Sequence, residues 1–302
     1  MSNGFRIGGD LHVSRLGFGA MRLPSKDGMG GPARDPETGR AVLRRAVELG
    51  VDHIDTADFY HSHDGEVRAN DLIREALHPY PSNLVIATKV GPVPTVGGLR
   101  HGGPADMRRF VEDNLTGLGV DRLDLVYLRI GPMAVPHGES LAERFEALAA
   151  LREEGLIRHL GLSNVDTAHL AEARAIAPVT AVQNQHQPHT TRRDDADILA
   201  VCEDSGIAFV PFFPVGGHHA LDDERPAVVA ARHGATVPQI ALARLLASSP
   251  VALAIPGTGS VAHLEENVAA AGITLSEQDL ADLGDRADST GSADSTGSAN
   301  SV

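Results

Sequence analysis

Short runs of apolar residues alternate along the chain with longer segments in which apolar residues recur every three or four positions. The short runs are rich in Val, Ile and Leu and are bounded by Gly, Asp or Asn, which is typical of strands buried on both faces. The longer segments have the spacing of helices with one apolar side. Because the two patterns alternate, the sequence predicts a parallel α/β fold.

Eight runs have the strand pattern, and six of the longer segments are clear helices. The predicted strands are 15–19, 51–56, 84–89, 123–129, 157–163, 179–184, 207–211 and 251–255, and the predicted helices are 40–49, 106–118, 141–154, 195–203, 227–232 and 238–246. Eight strands with intervening helices predict a closed (β/α)8 TIM barrel. The segment 1–14, with Gly8 and Gly9 at its centre, predicts an N-terminal hairpin at the bottom of the barrel.

The C-terminal end differs in kind from the rest of the chain. The sequence DSTGSA at 288–293 is repeated letter for letter at 294–299. Small polar residues cannot bury a core. We therefore expect one domain over residues 1–286 and a disordered low-complexity tail over 287–302.

Composition and charge narrow the class of ligand. The chain has 302 residues and a formal net charge of −14, which opposes binding to nucleic acids and anionic membranes. It has no apolar run of the roughly 18 residues that cross a bilayer and no visible export signal. Cys202 is the only cysteine, so we expect no intrachain disulfide and a cytoplasmic location. A small-molecule ligand is expected, with no obligatory protein partner.

Three residues that can carry chemistry end neighbouring predicted strands. Asp55 ends the second strand and is followed five residues later by Tyr60, while Lys89 ends the third. Lys89 is one of only two lysines among the 26 Lys and Arg residues, and the other, Lys26, lies in a Gly-rich loop. Each residue alone is as typical of a cap, a packing side chain or a surface charge. Together, at the end of the barrel where active sites form, they predict a catalytic site.

The three residue types suit proton donation. A phenol with a pKa of about 10 is a weak acid at neutral pH unless a cation stabilises its phenolate. Lys89 would supply that cation, and Asp55 would offset the cost of burying it. Tyr60 would then protonate a carbonyl oxygen while hydride reaches the carbon.

The segment GVDHIDTADFY, which ends at Tyr60, resembles the first signature of the aldo-keto reductases. Four later stretches are similar to that family in order and spacing: GLSN at 161–164, Gln183, PFFPVGG at 211–217 and IPGTGSVAHLEEN at 255–267. The resemblance covers about residues 5–285. It implies an NADPH-dependent aldehyde reductase with Asp55, Tyr60 and Lys89 in its catalytic tetrad and Tyr60 as the proton donor.

The fourth position of the tetrad departs from the family. Members usually have His at the end of the fourth strand, where this chain has Arg129. Arginine stays charged and only donates hydrogen bonds, so it would orient the carbonyl oxygen rather than exchange a proton. Leu128 and Arg129, with the 211–217 and 255–267 stretches, resemble the bacterial pyridoxal reductase branch. That resemblance implies reduction of pyridoxal to pyridoxine, with another small aldehyde or ketone as the alternative.

The resemblance also implies binding residues for NADPH and for the substrate. The coenzyme set is Met21, Asp55, Ser163, Asn164, Gln183, Phe212, Phe213, Val215, Gly216, Gly257, Thr258, His263, Glu266 and Asn267, and the substrate set is His61, Tyr127, Arg129 and His218. Many NADPH-dependent members carry Lys or Arg where Gly257 and His263 stand. Recognition of the 2′-phosphate would therefore rest on Thr258, Ser260, His263 and amides at a helix start, and NADH stays open as an alternative.

Two other interpretations have less support. The histidine pairs 61/63, 186/189 and 218/219 contain metal-ligand residue types, but no carboxylate motif accompanies them, and we expect no metal. A nucleotide-sensing regulatory subunit is the alternative from another functional class. Intact Asp55, Tyr60 and Lys89 argue against it.

Overall fold

The computed structural model describes residues 4–26, 30–95, 98–131, 138–185, 193–212 and 225–284. The predicted tail, and the predicted contacts Phe213, Val215, Gly216 and His218, lie outside these ranges. Within the described ranges, no helix is both long enough and apolar enough to cross a membrane.

The described residues form eleven strands and ten α-helices. The strands are β1 (Gly4–Ile7), β2 (Leu11–Ser14), β3 (Phe18–Gly19), β4 (His53–Asp55), β5 (Val85–Val90), β6 (Pro92–Thr95), β7 (Gly98–His101), β8 (Leu123–Arg129), β9 (Ile157–Ser163), β10 (Val179–Gln183) and β11 (Ala208–Phe209). The helices are α1 (Pro36–Glu48), α2 (Ala69–Leu77), α3 (Met107–Leu118), α4 (Ala142–Glu153), α5 (Thr167–Ile176), α6 (Arg193–Ser205), α7 (Arg225–His233), α8 (Val237–Ser248), α9 (Val261–Ala269) and α10 (Glu277–Asp282).

Seven of the strands form one parallel sheet in the order β3, β4, β5, β8, β9, β10, β11. Residues 251–256 lie between its two edges. On one side the Phe209 main-chain N–H donates to Val251 O at 2.9 Å, and on the other the Gly17 N–H donates to Ala254 O at 2.8 Å. The eighth predicted strand is therefore present as isolated bridges to both edges. The predicted (β/α)8 barrel is confirmed.

The predicted N-terminal hairpin is also confirmed, and it closes the bottom of the barrel. Gly8 and Gly9 turn the chain between β1 and β2 with φ values of 63° and 86°, a conformation that glycine adopts without strain. Ile7, Leu11 and Val13 of the hairpin are buried in one cluster with barrel-interior side chains such as Leu125 and Leu253. Burying a side chain of this kind contributes about 1.5–3 kcal/mol, so the hairpin is part of the core.

Several element boundaries differ from the prediction. Helix α1 begins at Pro36 rather than at residue 40, because the Asp35 carboxylate accepts a hydrogen bond from the Glu37 N–H at 3.2 Å and proline suits the first helical position. The hairpin of β6 and β7 was not predicted. Pro92 and Pro94 argue against a strand in sequence, but a two-stranded hairpin has only edge strands, where proline is tolerated.

His53, at the start of β4, is a fully buried histidine. Neither ring nitrogen has a hydrogen-bond partner within the described residues. Burial lowers the pKa of His53, with Lys89 acting in the same direction and the Asp55 and Asp52 charges opposing it. The folded protein therefore holds this imidazole neutral.

This histidine should make stability depend on pH. Below about pH 6.5 the unfolded chain binds a proton at His53 that the folded chain resists, so the free energy of unfolding should fall as the pH drops from 7.5 to 5. We expect His53→Gln to flatten that slope in urea titrations. The exposed His12 offers the matched control. His12→Gln should keep the wild-type dependence of the free energy of unfolding on pH. An unchanged slope in His53→Gln would refute the prediction.

Candidate active site

Asp55 and Lys89 form a buried ion pair where β4 and β5 end side by side. The Lys89 Nζ donates to Asp55 Oδ1 at 2.5 Å and to Thr56 O at 3.0 Å, and the two side chains are only 2% and 4% exposed. Burying such an ion pair costs free energy of desolvation unless further hydrogen bonds are made to its remaining polar atoms. The second Asp55 oxygen meets that need by accepting a hydrogen bond from Gln183 Nε2 at 2.7 Å.

Tyr60 lies next to this pair in the segment that follows β4. Its main-chain N–H donates to Ala57 O at 3.1 Å, and its carbonyl accepts from the Ala69 N–H at 2.9 Å, so both of its backbone groups are fixed. The ring packs edge-on against Phe59, with centroids 5.1 Å apart, and lies 5.0 Å from the Lys89 Nζ. The structure thus holds a phenol and an ammonium together, as the sequence predicted.

Lys89 carries a charge in this setting. Burial on its own would lower the pKa of the ammonium, but the Asp55 carboxylate and hydrogen bonds to Asp55 and to the Tyr60 oxygen raise it above its ordinary value. A lysine with a raised pKa is protonated at neutral pH. The site therefore contains a fixed cation beside the Tyr60 hydroxyl.

Arg129 ends β8, the strand next to β5 on the side away from β4. β8 pairs with β9 in a register that places Arg129 beside Ser163. The Arg129 Nη1 donates a hydrogen bond to Ser163 Oγ at 3.2 Å. The guanidinium carbon is 5.1 Å from the centroid of the Phe212 ring. Burial lowers the pKa of Arg129, and the negative charge of Asp55 opposes this only in part. Because an arginine titrates so far above neutrality, the group remains charged.

Tyr127, a predicted substrate contact, lies two residues before Arg129 on β8. Its side chain lies inside the barrel with no exposed surface, and its ring packs so closely on Gly161 that a Cβ there would be 2.6 Å away. Burial, with the charge of Asp55, raises the pKa of its hydroxyl well above 10. Alternate residues of a strand share a face, so Tyr127 lies on the same inner face of β8 as Arg129 but one layer deeper in the barrel.

The predicted nicotinamide contacts end two adjacent strands. Ser163, Asn164 and Gln183 are all buried at the ends of β9 and β10. Asn164 has a left-handed backbone, with φ of 63°, and its Nδ2 donates to Ile130 O at 2.8 Å. Asparagine tolerates this conformation better than most residues do. Phe212 is half-buried just beyond β11, the next strand of the sheet, so the aromatic ring follows these polar groups along the rim.

The predicted adenosine contacts come from the loop after residues 251–255 and from α9. Gly257 meets the end of β3 so closely that a Cβ there would lie 2.7 Å from Gly19 O. Thr258 is buried and accepts from the Ser260 N–H at 3.1 Å, and Ser260 in turn caps α9. His263 and Glu266 are exposed, Asn267 is half-buried, and Met21 is half-buried in the 3-10 helix after β3. The missing Cβ at Gly257 lets this loop pack directly against the end of β3.

Two further features complete the surroundings. His61 lines a cavity of about 120 Å3 together with Lys89, Asp58 and Phe110, on the helix side of the ion pair. Within the part of the chain that the structure describes, no group of three or more His, Cys, Asp or Glu residues could hold a metal ion.

A buried network of hydrogen bonds behind the ion pair was not predicted. Thr56 Oγ1 donates to Asn70 Oδ1 at 2.8 Å, Asn70 Nδ2 to Asn114 Oδ1 at 3.0 Å, and Thr88 Oγ1 to the same Asn114 oxygen at 2.6 Å. Thr56 and Thr88 are the sequence neighbours of Asp55 and Lys89. The network therefore links the strands that carry Asp55 and Lys89 to α2 and α3. The sequence gives no signal for it beyond the presence of the two asparagines.

A barrel that carries a buried Asp–Lys pair beside a tyrosine, with buried polar side chains at the ends of the adjoining strands, is typical of the class of carbonyl-reducing oxidoreductases. The Aldo/keto reductase family model matches residues 15–286. The chain belongs to this family of oxidoreductases.

Individual relatives support the same assignment. The chain is 47% identical over 287 residues to pyridoxine 4-dehydrogenase of Escherichia coli. The match covers 93% of this chain and 97% of that protein. It is 42% identical over 285 residues to an uncharacterized oxidoreductase of Schizosaccharomyces pombe, covering 93% and 89%. An aldo/keto reductase of Klebsiella pneumoniae, crystallised with NADP and acetate, is 28% identical with a TM-score of 0.77 and covers 94% of each chain.

Proposed function

We propose that this protein reduces pyridoxal to pyridoxine with NADPH, through Tyr60, Lys89, Asp55 and Arg129. The observation that carries the proposal is the Asp55–Lys89 pair beside Tyr60, with Arg129 at the end of the neighbouring strand β8. The similarity to the E. coli pyridoxine 4-dehydrogenase supports the choice of substrate. A buried guanidinium also suits a ring that carries an acidic phenol, because charge-assisted hydrogen bonds are stronger than neutral ones.

The protein's own part in the reaction is to supply a proton and to hold the aldehyde. When bound, NADPH supplies the hydride that the aldehyde carbon accepts. Tyr60 gives its hydroxyl proton to the carbonyl oxygen, which completes the primary alcohol. Lys89 stabilises the negative charge left on the phenol oxygen, and Asp55 keeps the ammonium in place. Arg129 donates a hydrogen bond to the developing alkoxide.

The coenzyme residues of this proposal follow the order of the strands. Ser163, Asn164 and Gln183 hold the carboxamide of the nicotinamide, and Phe212 packs against its ring. The loop at Gly257 and Thr258 takes the adenosine end. The side-chain nitrogens of Asn164 and Gln183 already donate to Ile130 and Asp55, so these amides are held in place before coenzyme binds.

A turnover assay tests the proposed substrate. Purified protein is given NADPH or NADH with pyridoxal and with a panel of other small aldehydes and ketones, and coenzyme oxidation is followed by absorbance. We expect the highest kcat/KM for pyridoxal with NADPH. A higher kcat/KM for an unrelated aldehyde would assign the protein to that substrate and overturn pyridoxal. Absence of any turnover would overturn the proposed chemistry.

Arg129 gives a separate prediction about pH. We expect Arg129→His to keep measurable turnover but to acquire a new pH dependence near pH 6.5, because imidazole titrates there whereas guanidinium does not. The measurement is kcat/KM between pH 5.5 and 9. Arg122, an exposed arginine before β8, offers the control Arg122→His, which should keep the wild-type profile. If Arg129→His also kept that profile, Arg129 would have no part in the chemistry.

A further inference from the structure

Arg34 is a cation at the adenosine end of the proposed coenzyme site, and it has no ion-pair partner among the described residues. It precedes α1, in the long loop after β3, and its guanidinium lies flat on Gly259. A Cβ added to Gly259 would be 2.4 Å from the Arg34 Cζ and 2.6 Å from its Nε. The loop that carries Arg34 and the loop that carries Thr258 therefore touch through this contact.

No carboxylate in the described part of the chain pairs with Arg34. Its Nε is buried and has no hydrogen-bond partner there. The neighbouring Asp35 is occupied as the cap of α1, where it accepts from the Glu37 N–H and the Thr38 hydroxyl, both at 3.2 Å. Other arginines nearby, such as Arg40, are paired with glutamates. In a protein with a net charge of −14, a guanidinium that no described carboxylate pairs with indicates an anionic ligand at this loop.

The surroundings of Arg34 define which anion fits. Thr258 and Ser260 place two hydroxyls in the same loop, and the first turn of α9 contains no acidic residue. Hydroxyls, amides at a helix start and a guanidinium are the groups that bind a phosphate monoester. Arg45 of α1 also pairs with Glu265 of α9 at 2.8 Å, which fixes the two elements that carry these groups.

We propose that Arg34 binds the 2′-phosphate of NADPH and is the residue that selects NADPH over NADH. It takes the place of the cations that this segment lacks at Gly257 and His263, although it comes from the other end of the sequence. The proposal rests on the coenzyme site described under the proposed function. It adds a residue to that site that sequence similarity did not indicate.

Binding measurements without any aldehyde test this role. Dissociation constants for NADPH and NADH are measured by fluorescence titration on the full-length protein. A hydrogen bond to a charged group contributes enough for Arg34→Ala to weaken NADPH binding by about 10- to 100-fold while NADH binding changes less than about threefold. The NADPH affinity of Arg34→Lys should lie between those of the wild type and Arg34→Ala, because an ammonium keeps the charge but loses the paired donors of the guanidinium.

Gly259→Ala provides a second variant that keeps every charge. Its new methyl group needs the space that the guanidinium occupies, so it should displace Arg34 and weaken NADPH selectively. Arg6→Ala is the matched control, since it removes one exposed arginine from the hairpin at the bottom of the barrel and should change neither constant.

The outcomes separate this proposal from its premise. If the wild type prefers NADPH and Arg34→Ala keeps that preference, Arg34 is not the selecting residue. If Arg34→Ala weakens both coenzymes equally, Arg34 only supports the loop, and the proposal is overturned. If the wild type does not prefer NADPH, the coenzyme assignment itself fails before Arg34 is considered.

Discussion

Tyr60→Phe should lower kcat for aldehyde reduction by about 10^2- to 10^4-fold, because it removes the proton that the carbonyl oxygen must receive. The aromatic ring stays, so its edge-on contact with Phe59 and its position 5.0 Å from the Lys89 ammonium are kept. The barrel should therefore fold normally. NADPH binding should also be unchanged, since the hydroxyl is not among the proposed coenzyme contacts.

The chain offers a matched control for this substitution. Tyr80 is a half-buried tyrosine whose hydroxyl donates to Leu118 O at 2.6 Å, on the side of the barrel formed by α2 and α3. Tyr80→Phe should reduce the free energy of unfolding by about 1 kcal/mol and leave kcat unchanged. The pair is compared by steady-state kinetics and by NADPH titration. A Tyr60→Phe enzyme within tenfold of wild type would show that another group donates the proton.

The barrel could be predicted from sequence because the strands of the large sheet are mostly buried on both faces, which makes their segments rich in apolar residues. The bounds of β8 and β9 were predicted to the residue, since both strands lie in the middle of the sheet and pair along their whole length. The run at 207–211 was predicted longer than β11, which pairs over only two residues near the sheet edge. The number of residues over which an edge strand pairs depends on the strand beside it, and the composition of the edge strand does not encode that number.

The site could be predicted only where its residues follow a strand. Asp55 and Lys89 each end an apolar run, so the fold itself brings them to one rim. Arg34 lies in an irregular loop, and its contact with Gly259 joins parts of the chain that are more than two hundred residues apart. The link between Asn70 and Asn114 likewise depends on how two helices pack. No local pattern of residue types encodes such contacts.

Lys89→Met should have two large effects that can be separated. Methionine has a similar length but no charge, so Asp55 is left buried without its counter-charge, and we expect a loss of about 3–5 kcal/mol in the free energy of unfolding. The reaction should also fall to background, because no cation remains beside the Tyr60 hydroxyl to stabilise its negative charge. Lys26→Met, at the only other lysine, is the matched control and should change neither quantity.

The double variant Asp55→Asn with Lys89→Met separates stability from catalysis. Removing both charges abolishes the uncompensated carboxylate, and the Gln183 Nε2 keeps an oxygen to which it can donate. We therefore expect the double variant to regain at least half of the stability lost in Lys89→Met, by chemical denaturation, while its activity stays at background. Recovered activity would show that the pair is needed only to hold the fold. Stability that fell further would show that the rim depends on Asp55 for more than its pairing with Lys89.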